Sequence, residues 1–131
     1  MTTPRVVSKW ITGPIDVPEK TTRIISGLLK DENGQPIPGS SLEQATLQLY
    51  VVPATAAADV TYINGTATPR DISAAFNESG QMEVVLDKDD NPHLGADELE
   101  LHAAVIRGEY NGGRAFMHKV LIQIIDERSV V

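Results

Sequence analysis

The chain has 131 residues and a formal net charge of −7, with no cysteine, one tryptophan, three tyrosines and two phenylalanines. That length fits one domain able to bury a core without covalent staples. The lack of cysteine excludes disulfides and thiolate metal sites, and the acidic balance argues against nucleic acid as the main partner, because phosphate binding needs a basic surface. No apolar run approaches the ~20 residues of a membrane-spanning helix, and the opening MTTPRVVSKW lacks the charged start and apolar run of a signal peptide. The expectation is a soluble protein made in the cytoplasm, with no membrane partner.

In chain order, residues 1–22 come first and carry Pro4, Pro14 and Pro18. Proline interrupts helices and central strands. This stretch reads as an extended N-terminal arm, partly strand. Val6, Val7, Trp10, Ile11 and Ile15 give it apolar side chains that an isolated arm cannot bury. They are therefore the predicted partner-binding residues, large aromatics being common anchors of interfaces. Two alternatives stay open: RVVSKWI as the first strand of the domain, and Trp10 as a cap on its core.

The domain proper is expected over 23–131. TRIISGLLK reads as a strand and DENGQPIPG as a turn, with Asn33-Gly34 tolerant of positive φ and Pro36 and Pro38 holding the exit extended. ATLQLYVV alternates, with Leu47, Leu49 and Val51 on one face, which marks a half-buried strand. VTYI is a short strand closed by Asn64-Gly65, and RDISAAF is the one candidate helix, about two turns long. After the turn NESGQ comes the strand MEVVL, and then the polar excursion DKDDNPHLGAD. ELELHAAVIR alternates again, with Leu99, Leu101, Ala103 and Val105 taken as its buried face. EYNGGRA turns the chain into the last strand, FMHKVLIQII, with Phe116, Val120, Ile122 and Ile124 inward. About seven short strands at this spacing predict an all-β antiparallel sandwich or barrel.

Chemistry-bearing patterns are sparse. Asp87, Asp89, Asn91 and Glu98 fall at positions 1, 3, 5 and 12 of an EF-hand loop, but Pro92 replaces the glycine of position 6 and the flanks are strands. That loop reads as a solvated connection. His102 and His118 lie on adjacent predicted strands, and Glu98 and Glu100 share the His102 face. Two histidines and a glutamate are zinc ligands in kind, yet a polar cross-strand pair on the outer face is the favoured expectation. There is no G-x-S-x-G elbow, Walker loop or G-x-G-x-x-G. The chain is therefore expected to be non-enzymatic, with no catalytic residue, no metal and no cofactor.

The stretch ISGLLKDENGQPIPGS resembles the strand and turn G-x-V-x-D-x-x-G-x-P-[LIV]-x-G-A of transthyretin-like and carboxypeptidase-regulatory-like Ig-fold domains. The matching positions are Gly27, Leu29, Asp31, Gly34, Pro36, Ile37 and Gly39. SSLEQ, intervening before the next strand, departs from that pattern. The wider run from Arg23 to Ile125 is similar to small Ig-like proteins encoded among the virion structural genes of tailed bacteriophages. The resemblance implies an Ig-like antiparallel β-sandwich and a place in the virion. Its implied role is capsid decoration or cement, bound to the major capsid protein. A neck or tail position, or a carbohydrate- or ligand-binding adhesin-like module, is the alternative. Further copies of the same chain are also candidate partners.

Overall fold

The computed structural model describes residues 9–31, 33–52, 60–95 and 99–126, the side chains of 9–13 excepted. Seven strands account for most of it: β1 (Lys9–Pro18), β2 (Arg23–Leu28), β3 (Leu42–Val52), β4 (Arg70–Asp71), β5 (Gln81–Leu86), β6 (Leu99–Tyr110) and β7 (Arg114–Ile125). They form a five-stranded sheet in the order β1-β7-β6-β3-β4 and a two-stranded sheet, β2-β5. β7, β6 and β3 facing β2 and β5 is the arrangement of strands G, F and C against B and E in an Ig sandwich, with β4 in the place of C′.

Local chemistry explains the corners. Asp31 accepts from the backbone N–H of Asn33 (2.8 Å) and of Gln35 (2.9 Å), and Gly34 takes φ +78°. The side-chain acceptor and the glycine together make the turn, which delivers Leu29 and Ile37 to the core, each 2 % exposed. Between β6 and β7, Asn111 and Gly112 both have positive φ. That handedness matches the twist of the flanking strands, and the hairpin then runs in unbroken register from Tyr110↔Arg114 to Leu99↔Ile125. Gly108 is required by a close approach: a Cβ there would lie 2.5 Å from the Phe116 ring and 2.6 Å from the Gln44 carbonyl oxygen.

Three expectations change. First, the sandwich is not wholly antiparallel. Over Lys9–Pro18 the segment read as an arm is a strand that pairs parallel with β7, with an irregularity between Thr12 and Ile15. Pro14 falls at that irregularity, where a missing N–H interrupts the ladder at least cost. Val17, buried, and Ile15, half-buried, both join the core cluster.

Second, RDISAAF is not a helix. Arg70 and Asp71 pair with β3, the Ile72 N–H donates to the Ala45 carbonyl (2.9 Å), and only Ser73–Ala75 makes a 3-10 turn. A segment this short gains little from helix propagation once its backbone is committed to the sheet.

Third, the faces of β6 are reversed. His102, Ala104 and Ile106 stand opposite Ile122, Val120 and His118 of β7, and opposite Val51, Leu49 and Leu47 of β3. That is the inner face. Leu99, Leu101, Ala103 and Val105 therefore point away from the second sheet.

Candidate interaction surface and buried polar clusters

The loop after β5 is built around Asp90. Asp87 caps the 3-10 turn Lys88–Asp90, accepting from the Asp89 N–H (2.8 Å) and the Asp90 N–H (3.2 Å), and Asp90 returns the bond by accepting from the Asp87 N–H (3.0 Å). Across the fold, Asp90 receives a fork from Arg70, 2.7 Å to Oδ1 and 3.0 Å to Oδ2, and a bond from the Asn64 amide at 2.9 Å. Burial opposes the charge on Asp90. The hydrogen bonds from Arg70, Asn64 and Asp87 outweigh it and hold the carboxyl below its ordinary pKa. The same bond raises the Arg70 pKa.

Asn91, the fifth position of the EF-hand alignment, turns inward instead of toward an ion. Its side-chain amide N–H donates to the Thr21 carbonyl (2.8 Å), and its backbone carbonyl accepts from the Lys20 N–H (2.7 Å). These contacts tie the loop to the corner between β1 and β2. Glu98 lies outside the described residues. Donors of this chain occupy the oxygens of Asp90 and Asp87 Oδ1, and these bonds clasp the loop to the rest of the fold.

The second cluster lies at the inner end of β6. Glu100 accepts from the Leu94 N–H (3.0 Å) and from the Gly95 N–H, and lies 2.6 Å from His102 Nε2. Burial again opposes its charge, and the bonds from His102, Leu94 and Gly95 keep it ionised below the ordinary carboxylate range. For His102, burial lowers the pKa and outweighs the pull of Glu100. The pair is thus a neutral imidazole donating through Nε2–H to a carboxylate. The His118 and Phe116 rings meet at right angles, their centroids 5.8 Å apart, and burial lowers the His118 pKa to about 4.

The zinc arrangement does not form. His102 is opposite Ile122 and His118 is opposite Ile106, four positions apart on the ladder, which is about 13 Å along the strand. Both histidines are buried on the inner face, so the expected outward pair is corrected as well. The alternation that put Leu99–Val105 inward assigned His102 to solvent, although the inward row from Phe116 to Ile124 already contained His118. Among the described residues, no three His, Asp or Glu side chains converge as a metal site would require.

Of the predicted partner-binding residues, Val6 and Val7 lie outside the described residues. Trp10 and Ile11 are on β1, in backbone register with His118 and Lys119. Ile15 is opposite Ile122 and packs on the core.

A surface the sequence reading missed is the outer face of the five-stranded sheet. Ala103 and Val105 are 0 % and 4 % exposed yet stand outside the core cluster. They form the floor between Tyr50 and Leu121 and between Gln48 and Lys119, their partners on β3 and β7. The Tyr50 ring meets Tyr62 edge-on at 6.3 Å, and the Lys119 ammonium lies 5.8 Å from its centroid. Toward the far end, Leu99 is 50 % exposed beside Ile125, and Leu101 lies between Val52 and Gln123. The signal was present as the alternation of ELELHAAVIR; what the sequence lacks is the side on which the second sheet packs.

The topology defines an all-β sandwich, and the two buried clusters tie its loops to its strands. The chain matches no family model, no curated protein and no solved structure.

Proposed function

We propose that this protein is a non-enzymatic structural component of a tailed-bacteriophage virion that acts by protein–protein contact, most directly as a capsid decoration or cement protein on the major capsid protein. The observation that carries the contact role is the outer sheet face. A sheet with one face in water ordinarily alternates apolar-in and polar-out, and here the outward positions of β6 from Leu99 to Val105 are all apolar. An outward apolar row of this kind, with Leu99 50 % exposed at its end, favours an interaction surface. The virion assignment rests on the turn and strand signatures from Arg23 to Ile125. A neck or tail position would use the same surface.

Co-sedimentation tests this reading. The purified chain is mixed with separated heads and tails of the phage whose genome encodes it. Saturable binding to heads is expected. Binding to tails alone moves the protein to the neck or tail, and binding to neither contradicts the virion role.

A further inference from the structure

Three Asn-Gly pairs occur in the sequence, Asn33-Gly34, Asn64-Gly65 and Asn111-Gly112, and each lies in a turn. In such a pair the backbone nitrogen of the glycine can attack the side-chain Cγ of the asparagine, because glycine sets no side chain in the way. We infer that Asn111 is a site of self-catalysed deamidation in the folded protein, with Glu43 as the base that takes the proton of the Gly112 nitrogen.

The reaction needs no reagent but water. The bond from the Gly112 nitrogen to Asn111 Cγ forms, and the bond from Cγ to Nδ2 breaks. The proton of the Gly112 N–H passes to Glu43 Oε1 and on to the departing nitrogen, which leaves as ammonia. Water then opens the five-membered imide at one of its two carbonyls, giving aspartate or isoaspartate. Nothing is oxidised or reduced.

A peptide N–H is a weak acid, so the rate depends on what stands ready to accept its proton. The three turns differ in that respect. The Gly34 N–H donates to the Asp31 backbone carbonyl (3.0 Å), which is an acceptor but not a base. At Asn64 the side-chain amide itself is committed, donating to the Asp90 carboxylate (2.9 Å), so its reacting carbon is held in the clasp. At the third turn the Gly112 N–H donates to the Glu43 carboxylate, and Asn111 is exposed.

Local structure explains why Glu43 reaches this point. The pairing of β3 with β6 shifts register between Leu42 and Gln44, which makes Glu43 the extra residue of a bulge, and a bulge re-aims its side chain. The Asn111 N–H donates to the Ser41 carbonyl (3.3 Å), which seats the hairpin tip on the start of β3. A Cβ at Gly112 or Gly113 would meet nothing within 4 Å, so the Asn111 side chain has room to swing onto the nitrogen. Either product sets a second carboxylate against Glu43, and isoaspartate also adds a carbon to the backbone of the turn.

The test follows each asparagine by peptide mapping and mass spectrometry after incubation of the full chain at mildly alkaline pH, for the wild type and Glu43→Gln, folded and in urea. In the folded wild type Asn111 is expected to convert about tenfold faster than Asn33 or Asn64, a modest gain for a positioned base. Glu43→Gln should remove that gain, leave Asn33 and Asn64 as they were, and change none of the three rates in urea. Glu43 is exposed, so the variant should keep the wild-type melting, and Asn33 in the same molecule reports any general loosening. An Asn111 that converts no faster than Asn33 in the folded protein overturns the inference. So does an Asn111 rate that Glu43→Gln leaves unchanged or raises, since the carboxylate would then only clamp the turn.

Discussion

At the residue scale, the interior of this sandwich is held by a few ionic clasps whose failure is predictable. Replacing Asp90 by alanine leaves Arg70, Asn64 and the Asp87 N–H without their shared acceptor. Loss of a buried ion-pair partner is severe in general, but the Arg70 side chain is 34 % exposed and can turn to water. The expected loss is about 2 kcal/mol in urea unfolding, and no less for Arg70→Ala, which leaves the buried Asp90 carboxylate without its cation. A neutral Asp90→Ala would show that the clasp is not structural.

The histidines give a pH dependence whose sign is fixed. Burial holds His118 at about 4 when folded, whereas an unfolded histidine titrates near 6.5. Below pH ~6.5 the unfolded chain therefore takes a proton that the folded chain refuses, and stability falls as the pH drops toward 4, by about 1.4 kcal/mol per pH unit for one such group. The lowered pKa of His102, also caused by burial, acts in the same direction. Urea midpoints between pH 7.5 and 4.5 should decline, and His118→Leu should flatten the decline. An unchanged slope in that variant would remove His118 from the account.

At the element scale, what could be read depended on whether the deciding contact was local. The turn at Asp31–Gly34 and the hairpin at Asn111–Gly113 were legible because side-chain acceptors and positive-φ residues specify them within a few positions. The inward set of β3 was legible from alternation. β1 was not, since a parallel pairing between Lys9–Pro18 and β7 joins opposite ends of the chain and leaves no periodic mark. β6 was misassigned because both of its rows look acceptable: Leu-Leu-Ala-Val outside, and Glu-His-Ala-Ile inside. The Glu100–His102 pair enters the interior only by satisfying itself, and that satisfaction depends on the Leu94 and Gly95 N–H groups of a neighbouring loop.

The role of β1 follows from its burial. Val17 is 1 % exposed and the ladder runs to Pro18↔Ile125. Deleting Met1–Lys20 should abolish cooperative melting, because it strips β7 of a neighbour and opens the core at Val17. A truncated chain that melts at the wild-type temperature would show that β1 is dispensable to the fold.

At the scale of the whole molecule, an acidic sandwich with satisfied ionic groups inside and an apolar sheet face outside has the makings of a subunit. Its polar investment goes into fixing corners: Asp31 at the first turn, Asp87, Asp90 and Asn91 at the loop after β5, and Glu100 at the entry to β6. Its outward apolar row from Leu99 to Val105 lies on the five-stranded sheet, and a smaller exposed group, Ile24, Leu28 and Val85, lies on the two-stranded one. In a head-decorating protein the outer face of the five-stranded sheet would be the side offered to the shell. The most direct measurement is a single-particle reconstruction of phage heads saturated with the purified chain. The account predicts ordered density of this sandwich on the shell, with its outer sheet face against the capsid protein. A shell without that density, or with copies whose outer sheet face is open to solvent, would contradict it.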